Sequence, residues 1–342
     1  DFIITNVLCW FSLRQLTIYF FYPYHILYCG KELMILCFGE SLIDLIPKKD
    51  ASGATVFLPV PGGSPFNTAI ALGRLGIHTG FLGAISTDFF GEMLISYLKK
   101  NSVDPAYIFR SQAPTSLAFV SPETKEKETS YQFYMDDTAA TLLQPDHIPR
   151  SFPSSVEALL FGSTALATEP IATTLINFMQ KESGNRLITL DPNIRPSLIS
   201  DPETFRSRFT IFLECADIVK VSLSDLAWLF PSKSWREFSQ MCLGHGVSVV
   251  FLTDGGTGAW GITNRHEIFS ESERIDVKDS IGAGDSFHAG MLTQLSRLGK
   301  LSSASIQTLT VSDLEDCLHL GTRAAAITCS RPGADPPWKN EL

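Results

Sequence analysis

At 342 residues, 44% hydrophobic and 18% charged, the chain is globular and able to bury a large core, long for one domain but not clearly two. A formal net charge of −9 argues against nucleic acid as a partner and suits a protein that meets anions only in a local pocket. The seven cysteines are scattered without a C-x-x-C pair, which disfavours a disulfide frame or a zinc site and fits reduced thiols in the cytoplasm.

Residues 1–33 differ from everything after them, being crowded with aromatics and nearly uncharged before Lys31. Asp1 in place of a basic start, Arg14 inside the apolar run and the lack of a small-residue cleavage site speak against a signal peptide. Arg14, Gln15 and Pro23 weaken a membrane span. The segment is read as an N-terminal extension, with the start expected at Met34, the folded domain at 34–342 and no membrane partner.

From Met34 the chain alternates strand and helix signals. Met34 to Phe38 predicts a buried strand that ends in Gly39-Glu40 and delivers Asp44 nearby, at the kind of strand end where α/β sheets collect ligands. Asp44 is a candidate for holding hydroxyls, with a turn or cap role as the alternative. Ile46 to Val60 predicts a hairpin around Asp50 to Gly53. Pro61 to Gly76 predicts a helix capped by Ser64, opened by Pro65 and ended by Gly76. Gly62 and Gly63 allow close backbone approach to a small ligand, and Asn67 faces the same mouth.

Gly80 to Ile85 predicts a strand and Phe89 to Lys99 an amphipathic helix. Leu117 to Val120 and Ser130 to Tyr134 predict strands joined by the charged turn Glu123 to Glu128. With the hairpin they form a small separate sheet, over about 45–62 and 115–136, placed to act as a lid. From Ala158 the βα alternation resumes through strands at Leu159, Leu187, Asp217 and Val247, and a final helix spans about Ser312 to Thr328. The fold class expected is α/β: a mainly parallel sheet with helices on both faces.

One stretch carries distinctive chemistry. Asp279 to Phe287 predicts a tight glycine turn feeding a helix from Ala283 through Leu295. A helix start offers unpaired N–H groups and partial positive charge, and Gly282 and Gly284 let a bulky anion approach. Asp285 opposes simple phosphate storage, but suits a base that takes a proton from a hydroxyl beside the phosphate. Thr253-Asp254-Gly255-Gly256-Thr257-Gly258 follows a strand and suits a nucleotide loop, with a glycine-rich hairpin turn as the alternative. Asn193 and Arg195, after another strand, could face phosphates or a sugar, against the default of a structural Asn and a surface Arg. A P-loop and a dinucleotide fingerprint are missing, the histidines lack metal or triad spacing, and Ser41 and Ser286 lack a partner base.

The order of these features resembles the ribokinase-like (PfkB) carbohydrate kinases over essentially Met34 to Trp338. Gly62-Gly63-Ser64-Pro65-Phe66-Asn67 matches the early signature of that family, and Asp279 to Asp285 matches the late D-T-x-G-A-G-D, with Ser280 in place of Thr. The resemblance implies a three-layer fold with a β-lid and ATP-dependent sugar phosphorylation. Asp285 would be the base, Gly282, Ala283 and Gly284 the anion hole, and Asp44, Gly62, Gly63, Asn67, Phe133 and Arg195 the sugar site. Asn193, Ser222, Thr253, Gly255, Gly258, Gly282 and Gly284 would face the nucleotide. Lys220 to Asp225 stands where the family has N-x-x-E, with Ser222 for Asn and Asp225 for Glu, so Asp225 would reach Mg²⁺ through water. Asp279, Ile281, Arg331 and Gly333 resemble a loop for a monovalent cation such as K⁺. A homodimer through the lid is also implied. Within the family, Gly39 to Asp44, Asp191 to Pro196 and Phe133-Tyr134 are most similar to bacterial fructokinases; relatives acting on 2-keto-3-deoxygluconate, aminoimidazole riboside or ribose share most of these motifs.

Overall fold

Strand β1 (Met34–Phe38) is buried on both faces because its five residues, MILCF, are apolar throughout. Ile35 and Cys37 enter the core on one side of the sheet, and Met34, Leu36 and Phe38 enter it on the other. In this computed structural model residues 33–121 and 130–342 are described. The reading of residues 1–32 as an extension, and of Glu123 to Glu128 as a charged turn, lies outside the described residues.

After β1 the chain forms β2 (Leu42–Lys49), β3 (Thr55–Gly62), α1 (Ser64–Arg74), β4 (His78–Ser86) and α2 (Phe89–Lys100). Short strands β5 (Val103–Asp104) and β6 (Ile108–Ser111) precede β7 (Leu117–Ser121) and β8 (Ser130–Tyr134). The second half runs β9 (Val156–Gly162), α3 (Ile171–Glu182), β10 (Leu187–Asp191), α4 (Pro202–Cys215), β11 (Ile218–Ser222), α5 (Leu223–Leu229) and α6 (Trp235–Gly244). It closes with β12 (Val249–Thr253), β13 (Gly258–Ile262), β14 (Glu267–Glu271), α7 (Ala283–Arg297), α8 (Ser303–Ile306) and α9 (Val311–Cys329).

The large sheet has the order β14-β13-β12-β11-β10-β9-β1-β4-β5, with β6 beside β4. It is parallel from β12 to β5 and antiparallel through β13 and β14, so it is mixed rather than purely parallel. From β1 the chain first adds β4 on one side, then returns to place β9 on the other. That reversal leaves a crevice at the carboxyl ends of β1 and β9, where open α/β sheets bind ligands. The second sheet, β3-β2-β7-β8, is the small separate sheet expected from the sequence, and it begins at Leu42 rather than near residue 45. Val56, Phe57, Leu58 and Tyr134 of this sheet are exposed.

Two local expectations change. Ser64 does not cap α1; the capping residue is Gly63, and Ser64 occupies the first helical position with its hydroxyl directed elsewhere. Helix α6 was not foreseen, although Ser234 and Glu237 form a capping box ahead of buried Phe238 and Cys242, a signal legible in the sequence. No helix among the described residues is long and apolar enough to cross a membrane.

Beyond α9, the chain runs back across the glycine turn. Gly333 N–H donates to Asp279 Oδ2 at 2.9 Å. A side chain on Gly282 would meet Ala334 Cβ at 2.8 Å. Further on, Arg74 of α1 donates to Asp335 Oδ1 at 2.5 Å and to the Pro336 carbonyl at 2.6 Å, and its guanidinium lies 5.1 Å from the Trp338 ring.

Candidate active site

Gly282 caps α7 with φ of 76°, a left-handed conformation that a side chain would strain. Its helix therefore starts abruptly at Ala283, and Asp285 falls in the first turn, where N–H groups have no intrahelical acceptor. Asp285 is buried, and two donors from α1 fix it. The Ser64 hydroxyl donates to Oδ1 at 2.6 Å, and Asn67 Nδ2 donates to Oδ2 at 3.0 Å. Each carboxylate oxygen keeps a lone pair for a substrate proton. Burial pushes the Asp285 carboxyl up to about 6, with Asp191 adding to this and the bonds from Ser64 and Asn67, with Lys220, opposing it.

Asp285 opens into a cavity of about 600 Å³ whose wall includes Asp44, Gly63, Asn67, Phe133, Asn193 and Arg195. Asp44 comes from β2 of the small sheet. Burial pushes it up to about 7, Arg195 opposes this and the charge of Asp285 adds to it. Gly62 does not line the cavity but makes it possible, because a Cβ there would lie 2.2 Å from Asp44 Oδ2. Gly63 has φ of 109°, and a Cβ would lie 2.7 Å from the Glu40 carbonyl. Gly63→Ala is therefore expected to cost about 2–4 kcal/mol in urea unfolding. Gly53→Ala, with φ of 83° in open space, carries only the backbone strain, so equal losses at the two sites would remove the packing argument.

A second hollow of about 300 Å³ adjoins the first. Thr253, Gly255 and Gly258 line it, together with Ala283, Gly284 and the small side chains Ala325 and Ala326 of α9. Val277, Ser280 and Gly284 belong to the walls of both spaces, so the two hollows meet at the glycine turn.

Under the turn lies a buried charge cluster. Lys220 Nζ donates to Asp191 Oδ2 at 2.8 Å. Burial disfavours the ammonium, but Asp191, Asp225 and Asp285 outweigh it and raise the Lys220 pKa overall. Burial, helped by Lys220, holds His288 well below its usual range, so its imidazole is neutral. Glu40, also buried, accepts from the Ser64 N–H at 3.2 Å and the Ala165 N–H at 3.3 Å, tying the ends of β1 and β9 to α1. Tyr131 of β8 reaches the wall of the large cavity from the small sheet. Glu40, Ser64, Tyr131, Asp191 and Lys220 were not singled out from sequence as site residues; Gly39-Glu40 at the end of β1 is the one with a local signal.

Residues 32–341 match the model of the pfkB family carbohydrate kinases. This chain belongs to the pfkB family of carbohydrate kinases. A fructokinase of Rhizobium leguminosarum bv. trifolii is 37% identical over 81% of this chain and 84% of its own length. Among solved structures, fructokinase with bound ATP from Xylella fastidiosa has a TM-score of 0.79 at 28% identity, covering 89% of this chain and 94% of that one. Fructokinase from Vibrio cholerae O395, solved with fructose, ADP and calcium bound, has a TM-score of 0.76 at 26% identity, covering 89% and 95%.

Against the pfkB pattern, the structure brings most of the expected residues together and sets some apart. Asp44, Gly63, Asn67, Phe133 and Arg195 share the large cavity, and Asn193, expected beside the nucleotide, lines that same cavity instead. Ser222, Asp225, Arg331 and Gly333 line neither space. Ser222 and Asp225 form a capping box for α5, and Asp225 Oδ1 also accepts from the Ile194 N–H at 2.8 Å. Asp279 holds the Ile281 and Gly333 N–H groups, whereas the Arg331 side chain turns to Glu341 and Asp335.

Proposed function

We propose that the protein is an ATP-dependent fructokinase, converting ATP and D-fructose to ADP and D-fructose 6-phosphate. The observation that carries this reading is the position of Asp285: it is buried where a hydroxyl-lined cavity and an adjoining hollow share one glycine turn. The family, and the likeness to fructokinases from several sources, support the sugar. The sugar fills the large cavity, with Asp44, Gly63, Asn67, Phe133 and Arg195 around it. The nucleotide takes the hollow beside Thr253, Gly255 and Gly258, and its γ-phosphoryl points at the turn.

Asp285 takes the proton of the sugar hydroxyl as that oxygen attacks the γ-phosphorus, and the bond to the β-phosphate oxygen breaks in line. Charge on the transferring group meets the N–H groups of Gly282 and Gly284, joined by that of Ala283 when it gives up its 3.3 Å bond to the Ser280 carbonyl. Among the described residues no cluster of acidic, histidine and cysteine side chains could hold a metal alone. Mg²⁺ bound with ATP would neutralise phosphate charge, and Asp225, whose oxygens already serve Ser222 and Ile194, would reach it only through water.

A base must be ionised, so kcat/KM for ATP at saturating fructose is expected to fall as pH drops through about 6, the value to which Asp285 is raised. A profile flat to pH 5 would remove Asp285 as the base. A K⁺ site at Asp279, Ile281, Arg331 and Gly333 is the finer part of this reading, and equal turnover in sodium and potassium buffers would remove it. The small sheet acts as the lid of a domain spanning 34–342, and its exposed Val56, Phe57 and Leu58 suit a homodimer contact. The buried thiols of Cys37, Cys242 and Cys317 suit the cytoplasm. The deciding experiment is a kinetic screen of fructose, ribose, 2-keto-3-deoxygluconate and aminoimidazole riboside. Fructose is expected to give the highest kcat/KM; another winner overturns the sugar, and no ADP from any of them overturns the enzyme.

A further inference from the structure

Lys220 lies almost fully buried on β11 and lines neither ligand space. It nevertheless sits directly under the catalytic turn, because a Cβ built on Gly284 would fall 2.8 Å from Nζ. Only the missing side chain of Gly284 lets an ammonium come so close to the first turn of α7. On electrostatic grounds the arrangement is unexpected, since a helix start is itself positive and repels a cation. Three carboxylates compensate: Asp191 of β10, Asp225 of α5 and Asp285 of α7.

The other groups facing Asp285 do not replace this cation. On the sugar side stand Asp44 of β2 and Arg195 of the loop after β10, and these two face each other. Tyr131 of β8 and Asp279 of the turn complete that side. From α1 come only uncharged donors, Ser64 and Asn67. One turn along α7, His288 is neutral and shares a 2.7 Å hydrogen bond with Thr189 Oγ1. Without Lys220 the charged groups on the buried side of Asp285 would be carboxylates alone, beside neutral His288.

We propose that Lys220 is a positioning residue for phosphoryl transfer: from beneath Gly284 its ammonium keeps Asp285 an ionised carboxylate and seats the first turn of α7, touching neither sugar nor nucleotide. The inference rests on the reading of Asp285 as the base. It differs from a purely structural role, in which the Lys220–Asp191 pair would only hold β10 to β11.

The test is the pH profile of kcat/KM for ATP at saturating fructose in Lys220→Met and Lys220→Gln, with thermal unfolding measured alongside. Removing this opposite charge is expected to move the acid limb upward by about one pH unit. Activity should then be depressed roughly twofold near pH 7 and about tenfold near pH 5, and recover to the wild type near pH 9. Lys220→Gln, whose amide can still donate to Asp191, gives the same measurement if the methionine variant does not fold. The double variant Lys220→Met with Asp191→Asn removes one charge of each sign and is expected to return the limb to within about half a unit of the wild type. A folded variant with the wild-type limb, whatever its change in unfolding temperature, overturns the proposal. A uniform loss of kcat at every pH also overturns it, because that would make Lys220 a direct phosphate contact. Failure of Asp285 as the base would appear separately, as retained activity in Asp285→Asn.

Discussion

Asp285→Asn is expected to lower kcat on the order of 10³-fold while the KM for fructose changes only a few-fold. An amide at this position still accepts from the Ser64 hydroxyl and keeps the shape of the first turn, but it cannot take a proton. Near-normal kcat would sink the assignment. The same substitution has a stability signature of opposite sign. The folded carboxyl is raised to about 6 from 3.8, so ionised Asp285 weakens the fold above that range. The cost is complete above pH 6, shrinks as pH falls and vanishes below about 4. Asp285→Asn should therefore stabilise the protein by about 1–3 kcal/mol at pH 7 and by little at pH 4, as read in urea titrations. A variant equally stable to the wild type at both pH values would show that burial is not what raises this carboxyl.

Asp44→Ala is expected to reduce kcat/KM for fructose by about 10³-fold, with KM for ATP nearly unchanged. Two charge-assisted hydrogen bonds to hydroxyls, at about 1.5–3 kcal/mol each, give that magnitude. Arg195 is left facing a smaller and less polar wall. The acid limb set by Asp285 should stay in place, because Asp44, raised to about 7, is mostly uncharged where Asp285 titrates. If KM for ATP rises while fructose kinetics hold, the two ligand spaces have been assigned the wrong way round.

The fold was legible in the sequence wherever apolar runs were long or turn residues distinctive. β1, the Asp50 to Ala54 hairpin and the start of α7 at Ala283 follow directly from local chemistry. β5 and β6, of two and four residues, carry too little pattern to register. Trp260 to Thr263 and the segment around Ile268 read as short β pieces but not as part of the main sheet, since pairing partners are not written locally. In the site, glycines and Asp285 stood out because few other residues suit a helix start facing an anion. Ser64 was assigned by its own neighbourhood as a cap, and only tertiary structure shows its hydroxyl on Asp285, 221 residues away. Lys220 and Glu40 escaped notice for the same reason. A lysine in a short strand looks solvated until the carboxylates from β10, α5 and α7 are seen to surround it.

The segment that follows α9 has a consequence for how the protein is made. Ala334 seats against Gly282, the Gly333 N–H completes Asp279, and Asp335 with the Pro336 carbonyl grips Arg74 on the helix that carries Ser64 and Asn67. Residues made early and late in translation thus share one catalytic turn. A nascent chain that has not yet released residue 336 from the ribosome lacks the backing of its glycine turn. The turn is therefore fully braced only once this late segment has packed against it and against α1.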